Sequence, residues 1–271
     1  MLLRNKIFSY VFVLLSTNLL LAKTLQLTGS STIAPLANEI AKKYEKEHNI
    51  KVQVQTGGST RGIVDQLRGL NDIGMSSREL KSSESTRLTS FPIALDALAV
   101  ITHKSNPINN ITRNALINIY QKKNRKWKND KNITVINKAA GRGTLDTFLN
   151  FLKIKNRSIK ADTIIGDNAQ AVKIVSKNSN AIAYVSLANA LEAIKNKLPI
   201  KIIDVNHIKA TQKNIQDRSY PLIRELHLVI KKSQINNPSL LEFIFYFNKE
   251  TSKQVISTLQ YTPTHVAQKQ L

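Results

Sequence analysis

The chain has 271 residues, 42% of them hydrophobic, and a formal net charge of +22. That length carries one large domain or two of ordinary size, and that apolar share excludes global disorder. Cysteine is absent, which excludes disulfides, thiolate metal sites, a cysteine nucleophile and a lipid anchor on an N-terminal cysteine.

The first residues have the pattern of an export signal. Arg4 and Lys6 precede Phe8 to Ala22, a stretch that is apolar apart from Ser9, Ser16, Thr17 and Asn18. Residues 1–22 are therefore expected to be a signal peptide or a retained N-terminal anchor. The second option stays open because Leu20, not a small residue, stands three places before a cut at Ala22–Lys23. Either way the protein is expected in the periplasm. Thr24 to Thr28 then alternates as a half-buried strand, with Leu25 and Leu27 on one face.

Gly29-Ser30-Ser31-Thr32-Ile33-Ala34-Pro35 follows, and Ile33, Leu36, Ala37, Ile40, Ala41 and Tyr44 recur at helical spacing. A strand thus ends in a small polar turn that opens a helix. Glycine permits the tight turn, serine and threonine suit an N-cap, and Pro35 suits the first helical turn. Such a turn leaves backbone N–H groups at the positive end of a helix, where an anion can sit. The same letters also serve plain capping.

The pattern recurs. Lys51 to Gln55 alternates as a strand, Thr56-Gly57-Gly58-Ser59-Thr60-Arg61-Gly62 follows, and Ile63, Val64 and Leu67 continue at helical spacing. Gly57 and Gly62 have the separation of a nucleotide-binding loop, but Ile63 and Val64 stand where lysine and a hydroxyl residue are required. Asp72-Ile73-Gly74-Met75 is a short strand ending at Ser76-Ser77-Arg78, with a polar helix expected after it. Pro92 to Thr102 is apolar enough for a buried central strand, and Asp96 inside it demands a partner. Arg113 to Tyr120 is expected to be helical. Ile133 to Ile136 is strand-like and leads into Asn137-Lys138-Ala139-Ala140-Gly141-Arg142-Gly143-Thr144, after which Leu145, Phe148, Leu149 and Leu152 mark a helix. Asp146 stands where a dinucleotide fingerprint needs its third glycine. Ala181 to Val185 and Ile200 to Val205 are strands with a helix between them. Tyr220-Pro221-Leu222 breaks the chain, Leu226 to Ile230 is a strand, and Leu240 to Phe247 and Lys253 to Leu259 are helical. Strands alternating with helices predict α/β layers.

The basic residues are dispersed, and their densest run, Lys122 to Lys131, falls in an expected loop. That is the pattern of a solvated surface, and together with export it argues against a nucleic-acid partner. No Gly-x-Ser-x-Gly elbow is present, His48, His103, His207, His227 and His265 are scattered, and no acidic cluster suits a pair of metal ions. No enzymatic activity and no cofactor are expected.

The turns Gly29 to Pro35, Gly57 to Thr60, Asp72 to Arg78 and Gly141 to Thr144 stand in an order that resembles the substrate-binding proteins of phosphate ABC transporters. Ala181 to Ser186, Tyr220-Pro221-Leu222 and Gln260-Tyr261-Thr262-Pro263 support the likeness, which covers essentially all of the chain after the leader. The resemblance implies a two-lobed type II periplasmic-binding fold, each lobe a mostly parallel sheet flanked by helices. Lobe I would combine residues 23–100 with 226–271 and lobe II would be residues 101–225, with crossovers near Val100–Lys104 and Leu222–Leu226. It implies that inorganic phosphate binds in the cleft and passes to a membrane ABC permease, with the binding protein a monomer. By the same likeness the ligand positions are Ser31 and Thr32 in the first turn, Ser59 in the second, and Gly143 and Thr144 in the third. Ser77 occupies the position where other members place a carboxylate that accepts the proton of hydrogen phosphate. That departure opens the choice between phosphate and sulfate, with Asp146 a candidate substitute. Arg142, where the family has serine, is expected to grip the oxyanion, and Ser30, Arg78 and Lys138 are further candidates. A phosphate sensor, a sulfate-like oxyanion binder and a polyanion binder without a transport role are the rival functions.

Overall fold

The structure is a computed structural model that describes residues 24–267; the expected signal segment, residues 1–22, lies outside them. Among the described residues no helix is long and apolar enough to cross a membrane.

The chain opens with β1 (Thr24–Gly29), α1 (Ala34–His48), β2 (Lys51–Thr56), α2 (Ser59–Arg68) and β3 (Ile73–Ser76). The helical spacing of Leu36, Ile40 and Tyr44 buries one face of α1, as expected. The polar helix anticipated after β3 is a single turn, α3 (Ser82–Ser85), because nothing in Ser82 to Ser85 is buried to hold a longer one. β4 (Leu88–His103) follows and is longer than its apolar run, at 16 residues. Then come β5 (Asn110–Ile111), α4 (Arg113–Tyr120), β6 (Thr134–Lys138) and α5 (Gly143–Leu152). β7 (Thr163–Ile165) and α6 (Asn168–Lys177) occupy a stretch whose sequence pattern is weak. β8 (Ala181–Ser186) is buried at every position, consistent with its unbroken run of apolar residues. α7 (Leu187–Lys195), β9 (Ile200–Val205), α8 (Gln212–Gln216), β10 (Ile223–Lys231), α9 (Pro238–Tyr246), α10 (Glu250–Thr258) and β11 (Thr262–Pro263) complete the chain.

The strands join in the order β2-β1-β3-β10-β4-β8-β6-β7, with β9 and β11 on β4 and β5 on β9. β2, β1 and β3 are parallel, as are β7, β6 and β8. Between these blocks run β4 and β10, antiparallel to each other and to their neighbours. β4 exchanges partners midway: up to Ala97 it pairs with β10, and from Leu98 with β8 and β9. The exchange falls a few residues before the Val100 expected from sequence, because Ala97 still pairs with Ile223 and the Leu98 N–H donates to the Leu222 carbonyl at 2.8 Å.

Two apolar cores flank this exchange. One gathers Leu25, Ile40, Tyr44, Leu228, Phe243 and Phe247. The other gathers Leu98, Tyr120, Phe148, Tyr184, Ile203 and Leu222. In the second, Phe148 stacks on Tyr184 with ring centroids 3.8 Å apart, which fixes α5 against the sheet. Parallel βα units aim the N-termini of their helices at the carboxyl edge of the sheet, and α1, α2 and α5 therefore converge beside the crossing strands.

Candidate functional site

Thirteen residues enclose one small cavity between the two cores: Ser30, Ser31 and Thr32 before α1, Gly58 and Ser59 at α2, Ser77 after β3, Lys138 at the end of β6, Arg142, Gly143 and Thr144 at α5, and Gly166, Asp167 and Asn168 at α6. Its volume open to the centre of a water-sized sphere is about 10 Å³, so only a compact ligand suits it. Every ligand candidate from the sequence lies on this wall except Arg78 and the substitute proton acceptor Asp146.

The polar wall is closely held. Thr32, Ser59, Ser77 and Thr144 are all buried. The Ser77 N–H donates to Ser59 Oγ at 3.0 Å, and the two hydroxyls are 3.2 Å apart. The Thr32 N–H donates to Ser30 Oγ at 3.2 Å. The expected serine or threonine cap on α1 is absent: Ile33 is the N-cap and no side chain accepts from the helix. The N-cap residues of α2 and α5 are Gly58 and Arg142, also without a side-chain cap. By contrast Thr112, Asp167, Thr211 and Asn237 cap α4, α6, α8 and α9. The three helix starts from the sequence motifs thus keep first-turn N–H groups without a side-chain acceptor, and their dipoles favour negative charge there.

Gly143 allows the close approach. A Cβ at this position would lie 2.5 Å from Ser59 Oγ and 2.6 Å from Ser77 Oγ. Gly58, at φ +95°, does the same from the other side, since its Cβ would meet Arg142 Cδ and the Gly141 carbonyl at 2.9 Å each. The two sides also bond directly. The Thr60 N–H donates to the Gly141 carbonyl at 3.1 Å, and Asn168 Nδ2 donates to Thr32 Oγ1 at 3.4 Å.

Two cations face the cavity. Lys138 is buried, and its ammonium donates to the Asp167 carbonyl at 2.6 Å. Burial pulls its pKa down from 10.5 to about 7; the Asp167 carboxylate opposes that, and Arg224 and Arg142 add to it. Arg142 lines the wall, and its guanidinium makes no hydrogen bond to another described residue. The single carboxylate residue on the wall is Asp167, whose Oδ1 accepts from the Gln170 N–H at 2.9 Å.

Arg78 is placed elsewhere. Its guanidinium grips Glu84 through two bonds of 2.8 Å, and its Nε lies 3.1 Å from Asp146. These carboxylates hold it away from the anion cavity. Asp146, the candidate proton acceptor, is likewise occupied and lines a separate cavity of about 510 Å³ with Arg78, Glu79 and Glu225. That larger cavity carries three carboxylates, Glu79, Asp146 and Glu225, alongside the cations Arg78, Lys81 and Arg224.

Sequence reasoning missed Arg224. It forms a buried pair with Asp96, the partner that Asp96 required, with Nη2 2.7 Å and Nε 2.9 Å from Oδ2. Burial pushes the Asp96 carboxyl up, against the pull of Arg224, Ser186 and the Ala97 N–H. A guanidinium does not release its proton in a protein, so the carboxylate facing it is ionised. The available signal was an aspartate inside an apolar strand and an arginine just after the Tyr220-Pro221-Leu222 break. Among the described residues no cluster of histidine, aspartate and glutamate suits a metal ion.

The pattern of the PBP superfamily domain matches residues 20–250. The phosphate-binding protein PstS of Staphylococcus epidermidis is 31% identical over 244 residues, covering 83% of this chain and 74% of its own. That of Staphylococcus aureus is 30% identical over the same shares. Among solved structures, a substrate-binding protein assigned to phosphate ABC transport in Clostridium perfringens, solved with bound phosphate, has a TM-score of 0.81 at 25% identity, covering 89% of this chain and 100% of its own. An ABC-type phosphate transport receptor from Vibrio cholerae has a TM-score of 0.74 at 27% identity over the same shares.

Proposed function

Because the chain belongs to the PBP superfamily, among its phosphate-binding proteins, we propose that it captures inorganic phosphate between two lobes and hands it to an ABC permease. It acts as a binding protein outside the cytoplasmic membrane, as a monomer, and performs no chemistry on its ligand. The observation that carries this function is the convergence of three helix starts without side-chain caps, five buried hydroxyl residues and two cations on one small cavity.

The physical case rests on replacing water. A buried phosphate loses its hydration shell and needs donors on every side. A hydrogen bond to a charged group contributes about 1.5–3 kcal/mol net, and micromolar binding needs about 8 kcal/mol. Six such bonds suffice after ordering costs, and the wall offers more than six donors from backbone N–H groups, hydroxyls, Lys138 and Arg142. We take residues 24–97 with 223–267 as one lobe and 98–222 as the other. The crossing strands β4 and β10 then form the hinge, and the bonds from Thr60 to Gly141 and from Asn168 to Thr32 describe a closed shape that a permease can recognise.

Titration calorimetry with phosphate and with sulfate tests the binding step. Heat with phosphate is expected, and none with either anion refutes it. A phosphate sensor without a transport role is separated by reconstituting the protein with the permease encoded beside it, where one exists. Phosphate-dependent stimulation of ATP hydrolysis supports transport, and its absence favours sensing.

A further inference from the structure

Arg224 stands behind the anion cavity and does not line it. It is the second residue of β10 and lies opposite Asp96 of β4 in register, so both crossing strands meet at this pair. Its side chain is 3% exposed and that of Asp96 is 0% exposed. A guanidinium has five N–H donors and no acceptor, and here all of them are used. Two go to Asp96 Oδ2. The other three go to hydroxyls: Nη2 to Thr32 Oγ1 at 3.0 Å, Nη1 to Thr144 Oγ1 at 2.9 Å, and Nη1 to Ser77 Oγ at 3.3 Å.

Those three hydroxyls are cavity-wall groups, and they come from three separate turns. A hydroxyl has one hydrogen to donate and two lone pairs. Arg224 can only donate to it, so none of these hydrogens is directed at Arg224. Thr32 is the most constrained, because Asn168 Nδ2 also donates to its Oγ1 at 3.4 Å. With both lone pairs engaged, Thr32 is left with donation alone. The charge of Arg224 is paired with that of Asp96, and what the pair supplies to the three hydroxyls is orientation. Polarisation along a chain of hydrogen bonds strengthens the outermost donor.

Resting on the phosphate function above, we infer that Arg224 is a positioning residue: pinned by Asp96 at the hinge, it turns the hydroxyl hydrogens of Thr32, Ser77 and Thr144 toward the bound anion. Thr144 belongs to the second core's side of the cavity, and Thr32 and Ser77 to the first. Arg224 therefore completes its set of acceptors only when the two sides are together, which ties the donor array to closure.

Lysine at this position keeps a charge for Asp96 but lacks the planar fork that reaches three oxygens. The experiment is phosphate calorimetry on the parent, on Arg224→Lys, and on the charge-free double variant Asp96→Asn/Arg224→Gln, with thermal melts of each. The parent is expected to bind. Both variants, with cooperative melts, are expected to bind at least about tenfold more weakly. Adding Thr144→Val to Arg224→Lys is expected to cost less than it costs in the parent, because the two residues act together. A folded Arg224→Lys that binds like the parent overturns the inference and leaves the phosphate function standing; a parent that binds no phosphate removes the function itself. A crystal structure of the parent with phosphate gives a check that needs no variant. Arg224 is expected on the three hydroxyl oxygens, and finding it directly on the anion, or detached from those oxygens, overturns the positioning role.

Discussion

Lys138 should make phosphate binding take up a proton. Its side chain is 2% exposed and its pKa is drawn down by burial to about 7, so near neutrality much of the ligand-free protein holds this amine uncharged. In that state the folded chain binds the proton less tightly than the unfolded chain. Stability of the ligand-free protein therefore rises with pH from about 7 toward the ordinary lysine value of 10.5. A phosphate dianion in the cavity reverses the balance by favouring the ammonium. Full return from about 7 to 10.5 corresponds to a ceiling of about 5 kcal/mol, at 1.36 kcal/mol per pH unit. At pH 8 the ligand-free amine is about one-tenth protonated, and binding should draw in up to about 0.9 proton, against about 0.1 at pH 6. Phosphate itself titrates in this range, so the parent is compared with Lys138→Arg, whose guanidinium stays charged. Calorimetry in two buffers of different ionisation heat reads the uptake directly. The parent should exceed Lys138→Arg by most of a proton at pH 8 and by little at pH 6. Equal uptake in the two proteins at pH 8 would refute the account of Lys138.

Gly143→Ala should weaken phosphate binding while leaving the melting temperature nearly unchanged. Its Cβ meets Ser59 and Ser77 across the cleft, overpacking costs about 1–3 kcal/mol, and calorimetry should show a roughly 10–100-fold loss. Arg142→Ala should cost about 1.5–3 kcal/mol of binding through the lost charged hydrogen bonds, roughly tenfold or more by the same assay; unchanged affinity would place the guanidinium in solvent. Asp146→Asn should leave the ratio of phosphate to sulfate affinity as it is, because Asp146 serves Arg78 and lies off the cavity wall. A changed ratio would return Asp146 to the list of proton acceptors.

The helix-opening turns were readable because their chemistry is local. Glycine at a tight turn, small hydroxyl residues after it and an apolar stripe at helical spacing occupy a few adjacent positions in each of Gly29 to Thr32, Gly57 to Ser59 and Gly141 to Thr144. Ser30, Ser31, Thr32, Ser59, Ser77, Lys138, Arg142, Gly143 and Thr144 accordingly meet on one wall. Arg78 did not follow, since its direction depends on Glu84 and Asp146, and the sequence does not say which arginine finds a carboxylate first. β7 and α6 escaped notice for a related reason. β7 is three residues long with one buried position, and it holds its place through pairing with β6.

Local pattern alone determined that strand, polar turn and helix alternate, that the turns would present N–H groups to an anion, and that Asp96 needed a partner. Only the tertiary structure decided who that partner is. Arg224 lies 128 residues away from Asp96, and it reaches Thr32 across 192 residues. Periodicity and capping act over a few residues, whereas the choice of partner for a buried charge is made by which strands come to lie side by side.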